Sequence, residues 1–171
     1  MASKEKKEKD YKNILFGYLS TPAFGFRNSY GGFSVAVYED YRLIHKTYIF
    51  DCIDKTETAY KISESSVTTI KMIINKYQKD IDAFDTYLDN GSFDGVGNFF
   101  IFNGKRIITW NIKYIEENEL KKINPDYYEE YLPVIKQENK ILLLFFKIVE
   151  ILEREGIKLN LHEVNFDERN D

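Results

Sequence analysis

A single cysteine, Cys52, excludes an intramolecular disulfide. No apolar N-terminal segment precedes a small-residue cleavage site, so we expect no secretory signal. The most apolar run, residues 141–146, is far shorter than the roughly 20 residues of a membrane span, and charged residues interrupt the pattern around it. Together these absences predict a cytoplasmic protein with no membrane partner.

Histidine is also scarce, and this limits the chemistry that the chain can carry. Only His45 and His162 are present, and their spacing to Cys52 does not indicate a nucleophilic pair. The turn-rich segment 89–98 has carboxylates and glycines, but their spacing does not match a calcium-binding loop. The Gly95-Val96-Gly97 segment is too short for a dinucleotide fingerprint, and it precedes a predicted strand instead of opening a helix. The sequence therefore indicates no catalytic residue, no metal site and no cofactor.

The charge pattern lacks the basic footprint of a nucleic-acid-binding protein. Residues 1–12 hold five lysines and three acids, a net charge of +2, which predicts a flexible charged leader. Because the whole chain carries −4, the rest carries −6, and we expect no direct contact with nucleic acid. With 43% hydrophobic residues, residues 13–166 are expected to form one domain before an acidic tail at 167–171.

Two β-hairpins are predicted from runs of β-branched and aromatic residues. Residues 33–38 and 41–50 flank Glu39-Asp40, and residues 98–102 and 105–111 flank Asn103-Gly104, a pair that tolerates positive φ at both turn centres. Three further segments have weaker strand signals. Residues 13–20 are a candidate strand, residues 51–61 are a loop or weak edge strand, and residues 157–161 are predicted to form a last strand.

Two amphipathic helices are predicted. The first begins near Ser63 or Ser65, and its apolar residues keep helical spacing to Phe84. The second spans residues 133–156, with Pro133 in its first turn and Gly156 as the left-handed residue that ends it. Its buried stripe contains Val134, Glu138, Ile141, Leu142, Phe145, Ile148, Val149 and Leu152.

The order of these elements predicts a single α+β domain. Strands that come in pairs favour a mainly antiparallel sheet, built from the two hairpins and the C-terminal strand, with both helices packed on one face.

Two acidic regions are candidates for a partner-binding surface. The first runs from the end of the first helix into the following loop, and contains Asp82, Asp85, Asp89 and Asp94. The second mixes acids with tyrosines, and contains Tyr127, Tyr128, Glu129, Glu130 and Tyr131. Tyrosine supplies rigid contact area, and carboxylates attract lysine and arginine. The leading hypothesis is therefore a non-enzymatic module, such as a stoichiometric inhibitor of the immunity or anti-defence type, that covers a basic site on a partner protein.

Two alternatives remain open from the sequence. The glycine-rich loop at residues 21–32 carries Phe24, Phe26 and Tyr30 around Arg27, and these aromatics either anchor the loop on the core or line a ligand pocket. In a small enzyme or ligand-binding domain, Arg27 would capture an anion and Asp94 or His45 would be the acid-base group. The protein is alternatively an accessory subunit whose aromatic surface completes a larger assembly.

Overall fold

The computed structural model describes residues 12–21, 33–49, 54–91 and 96–159, and these form an α+β domain of six strands and four helices. The strands are β1 (Ile14–Thr21), β2 (Phe33–Tyr38), β3 (Arg42–Ile49), β4 (Asp54–Lys61), β5 (Gly97–Phe102) and β6 (Lys105–Trp110). The helices are α1 (Glu64–Lys76), α2 (Gln78–Ala83), α3 (Glu117–Ile123) and α4 (Tyr128–Arg154). The predicted α+β class is confirmed. The predicted leader and acidic tail lie outside the described residues, apart from Lys12.

The strands form one antiparallel sheet in the order β4-β3-β2-β1-β5-β6. Strand β1 lies at the centre and pairs with both predicted hairpins, β2-β3 on one side and β5-β6 on the other. The segment predicted to be a loop or weak edge strand forms the edge strand β4.

The predicted C-terminal strand is the exception to this agreement. Residues 157–159 form no strand, although Ile157 and Leu159 are buried in the core, and residues 160–161 lie outside the described part. The alternation of apolar and polar residues from Ile157 to Leu159 therefore arises because one side of this segment is buried in the core. It does not reflect pairing with the sheet.

Local turn chemistry explains the β5-β6 hairpin but not the β2-β3 hairpin. Asn103 and Gly104 have φ values of 48° and 79°, which is the conformation that the Asn-Gly pair predicts. In the β2-β3 connection Tyr41 has a φ of 69°, and its backbone N–H bonds to the Tyr38 carbonyl at 3.3 Å. A tyrosine in this region is uncommon, and sequence propensity did not indicate it.

The first predicted helix is divided in two. Ser63 is its N-cap, as expected, and accepts a hydrogen bond from the backbone N–H of Ser66 at 3.2 Å. Helix α1 ends at Lys76, the N–H of the next residue, Tyr77, bonds to the carbonyls of both Ile73 and Ile74, and α2 then begins at Gln78. The apolar spacing continues through the break because Ile81 and Phe84 are also buried.

The long helix α4 starts earlier than the sequence predicts. It begins at Tyr128, so Pro133 lies inside the helix and the expectation that it occupies the first turn is wrong. A proline there removes the hydrogen bond to the carbonyl of residue 129, and both Glu129 and Pro133 are exposed, so water can reach this site. The helix ends as predicted, because Gly156 follows with a φ of 80°.

The core lies between one face of the sheet and the helices α1 and α4. Phe145 of α4 is fully buried against Phe16, Tyr18 and Phe100, with ring centroids 6.0, 4.7 and 5.4 Å away. Most of the predicted stripe of α4 is buried here, and the apolar run at 141–146 is covered by protein except at Leu143. Within the described part of the chain, no helix is long and apolar enough to cross a membrane.

Candidate functional site

The structure brings parts of the two predicted acidic regions together along the first half of α4. The backbone N–H of Asp85 donates to Oε1 of Gln137 at 2.9 Å, and Nε2 of Gln137 donates to the Asp85 carboxylate at 2.9 Å. Nearby, Lys140 pairs with Asp80 of α2 at 2.6 Å. These contacts fix the end of α2 against α4, although more than 50 residues of sequence separate them.

The loop after α2 joins the same surface. Asp89 accepts a hydrogen bond from the backbone N–H of Gly91 at 3.0 Å, and Gly91 lies directly against the ring of Tyr131. The rings of Tyr131 and Tyr127 contact each other with centroids 6.1 Å apart, and Tyr127 is 54% exposed. We call Asp82, Asp85, Asp89, Tyr127 and Tyr131 the acidic tyrosine surface.

The three carboxylates of this surface are exposed, and the Lys105 ammonium donates a hydrogen bond to the backbone carbonyl of Asp82 at 3.3 Å. Asp82 accepts a hydrogen bond from Nε2 of Gln78 at 2.7 Å. Asp85 accepts one from the side-chain amide of Gln137, and Asp89 accepts one from the backbone N–H of Gly91. Within the described part of the chain, none of the three forms an ion pair. The surface therefore combines exposed carboxylates on α2 and the following loop with an exposed aromatic ring at the start of α4.

The other tyrosine-region residues are arranged differently. Tyr128 faces α3, where its hydroxyl donates to Glu117 at 2.6 Å and the Lys121 ammonium lies 5.6 Å from its ring centroid. The hydrogen bond to the Glu117 carboxylate raises the pKa of Tyr128 to about 12. Glu129 and Glu130 are exposed on α4. Tyr128 thus belongs to a separate contact between α3 and α4.

Beneath the surface lies a layer of buried polar side chains that sequence reasoning did not identify. Ser20, Asn98 and Thr109 are fully buried, and they stand side by side on β1, β5 and β6. The hydroxyl of Tyr18 donates to Oδ1 of Asn98 at 2.7 Å. Glu138 of α4 is also fully buried and accepts a hydrogen bond from Thr109.

Asn90 connects this layer to the acidic tyrosine surface. Its side-chain amide donates to Oε1 of Glu138 at 2.9 Å and to the Trp110 carbonyl at 2.7 Å. The second carboxyl oxygen of Glu138, Oε2, has no hydrogen-bond partner among the described residues. Burial outweighs the two hydrogen bonds and raises the pKa of Glu138 to about 7. Because no part of Glu138 is exposed, a dissolved substrate does not contact it in this conformation, and its evident role is to hold the loop to the sheet.

One signal for this residue was present in the sequence. Glu138 falls on the apolar stripe of α4, and a carboxyl at such a position is buried and needs partners. Nothing in the sequence indicated the partners, because Asn90 and Thr109 lie 48 and 29 residues away.

The aromatic loop with Phe24, Phe26, Arg27 and Tyr30 lies outside the described residues, as do Asp94, Cys52 and His162. His45 is half-buried in β3, and burial lowers its pKa. In the part of the chain that the structure describes, no three His, Cys, Asp or Glu side chains group in a way that could hold a metal ion.

Comparison with known proteins gives no family for this chain. No family model matches the sequence, and no curated protein matches it either.

Proposed function

We propose that the protein is a non-enzymatic binding module that uses the acidic tyrosine surface to cover a basic site on a partner protein. The observation that supports this proposal is the exposed ring of Tyr127, which contacts Tyr131 next to the loop that carries Asp89, while Gln137 holds the exposed Asp85 further along α4. An exposed tyrosine contributes contact area with few rotatable bonds, and the carboxylates accelerate encounter with a positively charged partner. In its most specific form, the proposal is a stoichiometric inhibitor of the immunity or anti-defence type.

The rigidity of the surface also supports this role. Asp85 is fixed by two hydrogen bonds to Gln137, and the loop at Asn90 is fixed by the buried Glu138. Side chains that are ordered before binding lose less entropy when the complex forms, so their contacts contribute more to affinity.

The proposal is tested by affinity capture from a lysate of the source organism with three forms of the protein. One is the wild type, and the second carries Asp82→Asn, Asp85→Asn and Asp89→Asn, which keep the shape of the side chains and an acceptor oxygen. The control carries Glu39→Gln, Glu150→Gln and Glu153→Gln, three exposed acids elsewhere, and has the same net charge as the second form.

We expect the wild type and the control to capture the same stoichiometric protein at low salt and to release it at high salt, because exposed charges are screened. The aspartate variant should capture much less of it. Equal capture by all three forms would refute the role of this surface, and capture of no stoichiometric protein would refute the binding function.

A further inference from the structure

The sheet has a second face that the helices α1 and α4 do not cover, and we call it the open face. Phe16, Tyr18 and Phe100 point toward Phe145 of α4. Because side chains alternate along a strand, the residues between them point to the opposite side. The open face therefore carries the intervening residues of β1, β2, β3, β5 and β6.

One row of paired residues crosses the open face from strand to strand. It consists of Ile44 on β3, Ala36 on β2, Gly17 on β1, Ile101 on β5 and Arg106 on β6. The two smallest side chains are adjacent at the centre of the sheet, where a groove of about 400 Å³ lies. Larger apolar side chains line its walls, including Tyr38, Leu19 and Phe99.

Gly17 lines the groove beside Ala36, and the side chains of Ile101 and Ile14 lean over it. A Cβ atom at this position would lie 3.2 Å from the Ile101 side chain and 3.3 Å from Ile14, which is tighter than ordinary contact. Glycine inside a strand weakens the strand, and it often marks a position where a ligand or another backbone approaches closely. Here the close neighbours are the side chains of Ile101 and Ile14, so packing within the sheet requires glycine at this position.

The charges at the groove are positive, in contrast to the acidic tyrosine surface. Arg106 lines one end and is exposed, and its guanidinium makes no ion pair or hydrogen bond with the described residues. Lys46 lines the other end, where Glu57 of β4 pairs with it at 2.9 Å. The unneutralised charge is thus at the β6 end, and a guanidinium binds a carboxylate through two parallel hydrogen bonds.

We propose that this groove binds a fatty acid, with the hydrocarbon chain lying across Ala36 and Gly17 and the carboxylate at Arg106. Three strand spacings of ~4.8 Å separate β2 from β6, about 14 Å in all, which is close to the extended length of a dodecanoate chain. An apolar floor with one unpaired cation at its end matches the chemistry of an unbranched chain with a single anionic head. This site lies on a different face of the sheet from α4 and is independent of the proposed partner surface.

Dodecanoate is the probe for this proposal, used below its micelle-forming concentration with the full chain. Titration calorimetry gives stoichiometry and affinity, and Trp110 supplies a second signal because it is the only tryptophan. The Trp110 ring lies beside Phe99, which lines the wall of the groove. Both rings lie over Gly97, because a Cβ atom added there would be 3.1 Å from Trp110 and 3.4 Å from Phe99. We expect binding of one dodecanoate per chain with a change in Trp110 fluorescence.

Two variants separate the contributions of charge and space. Arg106→Gln should weaken dodecanoate binding at least about tenfold, because a hydrogen bond to a charged group is lost. Ala36→Leu should abolish binding by filling the floor, with the melting temperature retained. Arg154→Gln, which removes an exposed arginine that lies 3.8 Å from Glu150 on α4, is the control and should bind as the wild type does.

Four results would overturn the proposal, and three of them concern dodecanoate and dodecanol. The first is no saturable binding of dodecanoate, and the second is binding that Arg106→Gln leaves unchanged. The third is equal affinity for dodecanol, which lacks the charge. Dodecyl phosphate tests the head group, and binding tighter than that of dodecanoate would reject the carboxylate as the preferred ligand. If Ala36→Leu fails to fold, the Arg106→Gln and dodecanol measurements still decide the outcome.

Discussion

The side-chain amide of Asn90 lies 2.9 Å from Oε1 of Glu138, and this hydrogen bond joins an exposed loop to the buried polar layer of the sheet. The same loop carries Asp89 and contacts Tyr131 through Gly91. The geometry of the acidic tyrosine surface therefore depends on a carboxyl group that is itself hidden from solvent. The first two predictions concern this dependence.

Glu138→Gln is expected to flatten the dependence of stability on pH. Burial raises the pKa of Glu138 to about 7, whereas the ordinary value is 4.5. Between these values the folded protein binds more protons than the unfolded chain, so the contribution of Glu138 to stability falls as pH rises from 4.5 to about 7. At 1.36 kcal/mol per pKa unit the loss is about 3 kcal/mol. Above about 7 the contribution stays low.

Urea unfolding of the wild type and Glu138→Gln from pH 4 to 8 measures this effect. Other titrating groups are shared, so the difference in the free energy of unfolding between the two proteins isolates Glu138. The variant should gain stability relative to the wild type across this range. Parallel curves would show that Glu138 titrates normally.

Gly91→Ala is expected to destabilise the protein more than Gly156→Ala. Both glycines have left-handed backbones, with φ values of 77° and 80°, so alanine costs roughly 1–2 kcal/mol at either position. A Cβ on Gly91 would also lie 2.7 Å from the Tyr131 hydroxyl, whereas nothing lies within 4 Å of one on Gly156. Thermal unfolding gives the difference. Equal losses would mean that the loop moves away from Tyr131 at no cost.

Ser63→Ala is expected to lower the free energy of unfolding by about 1 kcal/mol, because the N-cap of α1 is lost. Ser63 also donates to Glu155 beyond the end of α4, and this hydrogen bond is the main reason that the pKa of Glu155 is lowered. Thr68→Ala is the control, since Thr68 is exposed on the same helix and its side chain does not cap it, whereas the Ser65 hydroxyl lies 3.0 Å from that of Ser63. A similar loss in both variants, measured by urea unfolding, would argue against the cap.

Phe145→Ala is expected to cost about 3–5 kcal/mol, since it removes a fully buried ring that contacts three other aromatic rings of the sheet. Leu143, two residues earlier on the same helix, is 52% exposed, and its replacement by alanine should change stability by less than about 0.5 kcal/mol. Urea denaturation distinguishes the two. A small effect at Phe145 would mean that the core repacks around the space.

Much of the fold could be predicted because its signals are local. The Asn103-Gly104 turn, the Ser63 cap and the Gly156 terminus each depend on the conformation of one or two residues. The position of Pro133 misled the prediction for α4. An internal proline is tolerated there because the backbone group that it leaves unpaired is on the exposed side of the helix.

The arrangement of the surface could not be predicted because its contacts are long-range. Charge patterning identified Asp85 and Asp89 as candidates, but their placement beside α4 depends on Gln137 and Glu138. Tyr128 and Tyr131 are three residues apart and carry the same side chain, yet one contacts α3 and the other contacts Gly91. Sequence periodicity alone does not assign a residue to one neighbour or the other when a helix is contacted on two sides.

Site-specific photocrosslinking tests the proposed partner surface most directly. A photoreactive phenylalanine derivative replaces Tyr127 in one form of the protein and Leu143 in the other. Tyr127 directly precedes α4 and is 54% exposed, and Leu143 lies within α4 and is 52% exposed. Both forms are irradiated in lysate of the source organism. The account predicts one stoichiometric protein adduct from position 127 and none from position 143. The same adduct from both positions, or from position 143 alone, would contradict it.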